Sequence, residues 1–305
     1  MKSYDAIVIG GGPAGMAAAL YLVRAGVNIL AVEKLAPGGQ MLLTEELENY
    51  PGFPGGIKGY ELADQMSEHV KQFPYDKIFD EVREIIPGKE FHEIVVDGEH
   101  IRTRAIIITT GVTFRKLKVP NEEKLLGRGV SYCALCDGNF FKDKVVAVVG
   151  GGNSALEESL YLARLVKKLY LIHRREGFRG DKCYQDKCFS DSTIVPVLNS
   201  VVSRIVGDTE VVGIEVKDAK TNDYSILDVD GVFIFVGFNP VSNFFPVELK
   251  LDKAGFIQTN CEMETNIPGI FAAGDIRSKK CRQVVTAVGD GATAATAAFA
   301  FLEHK

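Results

Sequence analysis

Residues 4–15 read Tyr4-Asp5-Ala6-Ile7-Val8-Ile9-Gly10-Gly11-Gly12-Pro13-Ala14-Gly15. A short apolar run passes into three glycines, and a stretch of small and apolar residues follows as far as Arg24. The spacing is G-x-G-x-x-G between a predicted strand and a predicted helix. Gly10 permits a tight turn, and Gly12 lets a pyrophosphate approach the backbone. Gly15 lets the helix lie close to the strand, while Pro13 and Ala14 open a helix whose N-terminus faces the phosphates. A second strand, Asn28 to Val32, ends at Glu33, close to where an acid would meet a ribose hydroxyl. Glycines alone mark a tight turn in any α/β unit. With both strands and the acid, they point to an adenine dinucleotide with a free ribose, such as FAD. The uncharged run Ala6 to Val23 is long enough to pass for an export signal or a membrane helix. Asp5 before it and the glycines within it favour strand, turn and helix instead.

The arrangement returns 140 positions on, from Gly10 to Gly150. Lys144 to Val149 is a predicted strand, and Gly150-Gly151-Gly152-Asn153-Ser154-Ala155 supplies G-x-G-x-x-A. A helix from Ser154 to Val166 and a strand from Lys168 to Ile172 follow. The acid of the first unit is replaced here by His173-Arg174-Arg175, with Arg179 a turn beyond. Guanidinium groups hold a 2′-phosphate by charge-assisted hydrogen bonds, where a carboxylate would repel it. This second site therefore suits NADPH, the competing reading being a solvated basic helix start. Two nucleotide sites of opposite ribose chemistry in one chain imply hydride transfer through a flavin.

Each unit also carries hairpin-like segments: Phe91 to Val96 and His100 to Thr109 around Asp97-Gly98, then Val211 to Lys217 and Tyr224 to Val236. Phe271-Ala272-Ala273-Gly274-Asp275 reads as a short strand ending in glycine and an acid, placed to meet a ribityl chain. The helix after it, Val284 to Leu302, is rich in small residues and can pack tightly. The expected fold is α/β, with two nested Rossmann-like three-layer nucleotide-binding domains. Residues 1–112 and 242–305 would form a discontinuous FAD domain, and 113–241 an inserted NADPH domain. Composition agrees with a globular protein of roughly two domains: of 305 residues, 46% are hydrophobic and 25% charged. Thirty-five Lys and Arg against 40 Asp and Glu leave a net charge of −5, which argues against a nucleic-acid partner. No other uncharged run is long enough to span a membrane, so a cytoplasmic protein is expected.

Six cysteines in a chain of this length are too sparse for a disulfide scaffold. Cys133-Ala134-Leu135-Cys136-Asp137 lies between the two glycine signatures. Two intervening residues allow a small disulfide ring, whose thiolate form attacks a partner disulfide through a mixed intermediate. Asp137, adjacent, is a candidate acid–base group. The competing readings are half a zinc site completed by Cys183 and Cys188, and two inert buried thiols. Cys183, Cys188, Cys261 and Cys281 are read as structural thiols, the first two on different faces of a helix. His173 belongs to the nucleotide motif; the other four histidines sit in polar contexts and are expected to be exposed. Phe140-Phe141 suits either core or a docking surface.

With these pieces placed, the chain resembles the low-molecular-weight thioredoxin reductases over essentially its whole length. The resemblance rests on Gly10 to Gly15, Gly38-Gly39-Gln40, Glu48-Asn49-Tyr50-Pro51-Gly52 and Cys133 to Asp137. It continues through Gly150 to Ala155, His173-Arg174-Arg175 with Arg179, Phe271 to Asp275, and Arg282-Gln283. It implies that Gly39, Gln40 and Asn49 line the flavin, that Gly274-Asp275 holds the ribityl chain, and that Arg282, Gln283 and Val284 contact the isoalloxazine region. It implies that Cys136 faces the flavin, that Cys133 attacks thioredoxin and that Asp137 moves the proton. A homodimer and a thioredoxin or thioredoxin-like protein disulfide as partner follow from the same resemblance. Ala-Leu stands inside the redox pair where Ala-Thr is usual, and Asn139 where an aromatic is common beside Phe140-Phe141.

Both the nicotinamide motif and the redox pair fall in the inserted segment, yet both must reach one flavin. The expectation is an inserted domain that rotates about Thr110-Gly111-Val112-Thr113 and Gly237-Phe238-Asn239-Pro240 between half-reactions. The alternative function is a flavoprotein reductase of a thioredoxin-like or peroxidase-associated disulfide carrier. The usual peroxidase partner carries an N-terminal thioredoxin-like module, which is not expected ahead of a motif starting at residue 4. A ferredoxin–NADP oxidoreductase would not need Cys133 and Cys136, and a zinc-binding regulatory protein would be colourless.

Overall fold

The structure, a computed structural model, describes residues 2–44, 47 and 49–304. Glu48 of the Glu48-Asn49-Tyr50 motif lies outside the described residues. Among the described residues, six α-helices run over Pro13–Arg24 (α1), Gly59–Lys71 (α2), Ala134–Asp137 (α3), Asn153–Leu162 (α4), Lys182–Ser190 (α5) and Val284–Glu303 (α6). The chain divides into two compact units, Met1–Thr113 with Asn239–Lys305, and Phe114–Phe238. The connecting segments Val112–Phe114 and Phe238–Pro240 pair as a two-stranded sheet.

In the first unit, Ser3–Ile9 is flanked in parallel by Ile29–Glu33, which is followed by Asp76–Phe79. Its other neighbour is Glu99–Ile108, also parallel. That strand changes partner along one edge: its first half pairs antiparallel with His92–Val96, and Ile106 to Ile108 pair parallel with Ile270–Ala272. Alternation divides the core. Ala6 and Val8 point to the face covered by α1, α2 and α6. Ile7 and Ile9 point to the other, filled by Val82, Ile85, Ile94, Phe244 and Ile257. α6 is long and apolar enough to cross a membrane by length and composition. Its small-residue stripe, Ala287, Gly291, Ala294, Ala295 and Ala298, is buried, and the helix packs on α1. At the contact, a Cβ on Gly291 would stand 2.1 Å from the Ala14 carbonyl oxygen.

In the second unit a five-stranded parallel sheet runs in the order Ile194–Val197, Lys168–Ile172, Val145–Gly150, Gly231–Phe235, Val130–Ser131. Val146, Val148, Leu169, Leu171 and Phe233 face α4 and α5. Ala147, Val149, Ile172, Val232 and Ile234 face a three-stranded antiparallel sheet over Ser200–Gly207, Val211–Asp218 and Tyr224–Asp228. Each unit is thus a three-layer α/β assembly.

Two sequence expectations are corrected here, and one competing reading is set aside. Tyr224 to Val236 is two strands, not one: Tyr224–Asp228 joins the antiparallel sheet and Gly231–Phe235 the parallel one. Asp230 turns the chain between them: its N–H donates to the Val145 carbonyl at 2.7 Å, and its side-chain Oδ2 accepts from Val145 N–H at 2.8 Å. The competing reading of a basic helix start after His173 is set aside, since residues 173–181 are not helical and the next helix begins at Lys182. His92 is buried, not exposed: Gly88 N–H donates to its Nδ1 at 3.3 Å, so its Nε2 donates to the Pro268 carbonyl at 3.1 Å.

Candidate functional site: two dinucleotide cradles and a redox disulfide

The first glycine turn is shaped by what each missing side chain leaves room for. Gly10 has φ 106°, and a Cβ there would lie 2.6 Å from the Thr109 carbonyl oxygen. A Cβ on Gly15 would fall 1.8 Å from the Gly10 oxygen, so α1 approaches the strand closely only through glycine. Gly12 has nothing within 4 Å of its would-be Cβ. It is the N-cap of α1, with Pro13 and Ala14 next and no side chain capping the first turn. An open, uncapped helix N-terminus is what an anionic pyrophosphate fits. Glu33 sits across the turn, accepting from Gly11 N–H at 2.5 Å and from Leu35 N–H at 3.0 Å.

The remaining residues of the first constellation gather in the same unit. A Cβ on Gly39 would stand 3.3 Å from the Gly12 Cα, so the second loop lies against the first turn. Gln40 Nε2 donates to the Val112 carbonyl at 2.5 Å, and its Oε1 is buried without a hydrogen-bond partner among the described residues. Asn49 Nδ2 donates to Gln283 Oε1 at 3.1 Å, joining residues 234 positions apart. Gln283 is the N-cap of α6, in a reciprocal capping box with Thr286, and Val284 is the helix's first residue. Gly274, at φ 77°, would place a Cβ 2.9 Å from that of Ala14. Asp275 Oδ1 is likewise buried without a hydrogen-bond partner among the described residues. Burial raises the Asp275 carboxyl above its ordinary range, opposed by Lys279 and Arg282. Arg282 lies over the Phe256 ring at 4.3 Å and donates to the Asp275 and Arg277 carbonyl oxygens at 3.4 and 3.2 Å. Two orphaned buried oxygens beside an open helix N-terminus fit a bound dinucleotide with a polyol chain.

The second cradle follows the same logic. A Cβ on Gly150 would stand 2.6 Å from Ala155 Cβ and from the Phe235 oxygen, whereas Gly152 faces open space and caps α4 without a side chain. His173 lies with its ring against Gly151, buried, and its Nε2 lacks a hydrogen-bond partner among the described residues. Burial first, and then Arg179, Arg175 and Arg174, lower its pKa, so the ring is neutral at pH 7. Arg179 N–H donates to the Gly151 carbonyl at 2.6 Å, folding the basic segment back over the turn. Asn153 and Asp181 bond each other twice, at 2.9 and 2.7 Å. Arg174, Arg175, Arg179 and Ser154 are exposed. Three exposed guanidiniums around a neutral imidazole suit a phosphate.

In this unit a disulfide joins Cys133 and Cys136, with Cα atoms 5.3 Å apart. The C-x-x-C spacing and α3 make the short ring: Cys133 is the N-cap, its Sγ accepting from Cys136 N–H at 3.2 Å. Asp137 accepts from Ser131 Oγ at 2.5 Å, while Ser131 also accepts from Cys133 N–H at 3.0 Å. Ser131 thus ties the carboxylate to the disulfide, a role nothing in its sequence context announced. Leu135 and Phe140 are exposed and Phe141 is buried against Phe233. A bonded Cys133–Cys136 pair offers no thiolate to a metal. On α5, Cys188 is buried and its thiol pushed up to about 11 by desolvation, whereas Cys183 is exposed. Cys261 and Cys281 are also exposed, so of the four read as structural thiols only Cys188 is packed inside.

The family described as pyridine nucleotide-disulphide oxidoreductase matches residues 4–291, both cradles and the disulfide included. The chain belongs to that family. It is 47% identical over 304 residues to a thioredoxin reductase of Listeria monocytogenes, covering 99% of this chain and 95% of the relative. A thioredoxin reductase of Bacillus subtilis is 44% identical over 99% of this chain and 96% of its own. Among solved structures, the thioredoxin reductase of Streptococcus pyogenes matches with a TM-score of 0.94 at 42% identity over 99% of each chain. The protein is an oxidoreductase of two Rossmann-like domains, with FAD and NADPH as its cofactors.

Proposed function

We propose that this oxidoreductase uses NADPH to reduce the disulfide of a thioredoxin. The observation that carries the reading is the Cys133–Cys136 disulfide, built into the same compact unit as the arginine-bearing glycine turn. FAD, when bound, supplies two-electron carriage between a nicotinamide and a disulfide. Gly10 to Gly15, Glu33, Gly39, Gln40, Asn49, Gly274, Asp275 and Arg282 to Val284 hold the flavin nucleotide. Gly150, Gly152 to Ala155, His173, Arg174, Arg175 and Arg179 hold NADPH, the arginines around its 2′-phosphate. The Cys133–Cys136 bond takes up two electrons and two protons. Cys133 then attacks the partner disulfide, and Cys136 resolves the mixed disulfide, leaving the partner as a dithiol. Asp137, oriented by Ser131, holds the proton that the departing thiolate needs. In sum NADPH, a proton and a disulfide give NADP⁺ and a dithiol.

Residues 1–112 with 242–305 act as the flavin domain and 113–241 as the nicotinamide domain, the latter rotating between half-reactions. The paired connecting strands support a pivot there, being short and mutually hydrogen-bonded. A cross-link that fixes one orientation is expected to spare one half-reaction and stop turnover; undiminished turnover in the locked protein would refute rotation. The working form is a cytoplasmic homodimer without nucleic-acid or membrane partners. The function is tested by NADPH-dependent reduction of purified thioredoxins. Cys133→Ser is expected to remove thioredoxin reduction while flavin reduction by NADPH persists; a fully active Cys133→Ser protein would overturn the assignment. Asn139 beside exposed Phe140 favours testing a peroxidase-associated disulfide carrier in parallel.

A further inference from the structure

An ionic cluster lies under the Gly274-Asp275 turn in the first unit. Asp290, on α6, accepts on one oxygen from Gly274 N–H at 3.1 Å and Lys279 Nζ at 2.9 Å, and the same oxygen forms an ion pair with Arg277 Nη1 at 3.0 Å. Lys279 also donates to Thr286 Oγ1 at 3.2 Å. The side chains of Arg277, Lys279 and Asp290 are only 12–13% exposed. Lys279 Nζ stands 3.8 Å from Asp275 Oδ1, close enough for Coulomb attraction and too far for a hydrogen bond. Asp275 Oδ1 therefore keeps its lone pairs, buried and without a hydrogen-bond partner among the described residues.

We propose that Lys279 is a positioning residue for flavin binding: clamped by Asp290, its ammonium keeps Asp275 an ionised acceptor for a ribityl hydroxyl. This rests on the reading of Asp275 as a flavin-binding residue. The charged groups facing Asp275 are Lys279 and Arg282 from the loop that follows it and Asp290 from α6. Burial and Asp290 drive its carboxyl toward protonation; Lys279 is the first of the two cations that oppose them. Arg282 is itself engaged with backbone carbonyls and the Phe256 ring. An ammonium with three donors can bind Asp290 and Thr286 and still present its charge to Asp275.

The test titrates FAD into apoprotein, read by flavin fluorescence, between pH 6 and 8.5. The parent is expected to show one affinity throughout. Lys279→Gln, which keeps hydrogen bonding and drops the charge, and Lys279→Met are expected to bind FAD about tenfold more weakly at pH 6. Both should recover toward the parent as pH rises and Asp275 ionises, and Lys279→Arg should restore the parent profile. In an Asp275→Asn background, Lys279→Gln should cost nothing further. Parent-like affinity at every pH in a folded Lys279→Gln protein would overturn the proposal. So would a pH-independent loss that persists in the Asp275→Asn background, which marks a purely structural lysine. If Asp275→Asn alone leaves FAD affinity unchanged, the flavin-binding reading of Asp275 fails instead, and the two failures are distinct.

Discussion

Two glycines three positions apart do opposite jobs in the first turn, and substitution should separate them. A methyl at Gly15 would meet the Gly10 oxygen at 1.8 Å, a backbone atom that cannot rotate away. Gly15→Ala is expected to push α1 off the sheet and destabilise the apoprotein by at least about 3 kcal/mol, the upper range of overpacking. A methyl at Gly12 meets nothing within 4 Å, and its φ of −71° suits any residue. Gly12→Ala should leave apoprotein unfolding within about 0.5 kcal/mol of the parent while weakening FAD binding, because the methyl enters the space a pyrophosphate needs. Chemical denaturation and FAD titration of both variants check this pair; equal loss of stability in both would contradict it. The letters G-x-G-x-x-G announced these roles, since each follows from the steric demand of one position. Ser131 could not be found the same way. Serine is common, and its bonds to Asp137 and Cys133 exist only because its strand ends beside α3.

At the scale of elements, the segment from His173 to Gly180 shows how far motif reading reaches. Its arginines are proposed as phosphate ligands on their sequence pattern, but its shape was not legible there: it is an irregular loop returning over Gly151 before α5 begins at Lys182. Replacing Arg174 and Arg175 by Ala should raise the KM for NADPH about tenfold or more with kcat and the KM for NADH little changed. Each lost charge-assisted bond is worth on the order of 1.5–3 kcal/mol, reduced here because both side chains are exposed. Steady-state kinetics with both nucleotides decides it, and equal KM changes would remove the 2′-phosphate assignment. Apolar and small-residue runs between breaks placed α1, the strand Lys168–Ile172 and the start of α6 correctly. The same reading ran two strands together at Asp228 to Gly231, where paired aspartates and a glycine signal a break that the apolar residues on either side masked. His92 was misjudged because its polar neighbours in sequence are not its neighbours in space: the Pro268 carbonyl, 176 positions away, makes its burial affordable.

For the molecule as a whole, Glu158 on α4 links stability to pH. Its Oε2 is buried without a hydrogen-bond partner among the described residues, and desolvation, with Glu157 adding, lifts its carboxyl to about 7. The sign follows from the folded value lying above the unfolded one near 4.5. Protonated Glu158 is tolerated, so its stability contribution is complete below pH 4.5 and is lost as pH rises toward 7. Glu158→Gln should therefore stabilise the protein by on the order of 3 kcal/mol at pH 8 and much less at pH 5. Denaturant unfolding of parent and variant at both pH values measures the difference, and a gain independent of pH would rule out titration as its cause.

The packing of α1 on α6 has a consequence for the order in which the protein can be made. The helix that opens the first glycine turn spans residues 13–24, and its partner spans residues 284–303. Every residue of Phe114–Phe238 leaves the ribosome between them. While a nascent chain grows, the second unit has all its strands and helices available, whereas the first waits with Ala14, Ala18 and Leu22 uncovered. Asn49 likewise has no Gln283 to bond until the last helix begins. The proposed flavin cradle is thus completed only near the end of synthesis, and FAD capture is expected as a late step that closes folding of the first unit.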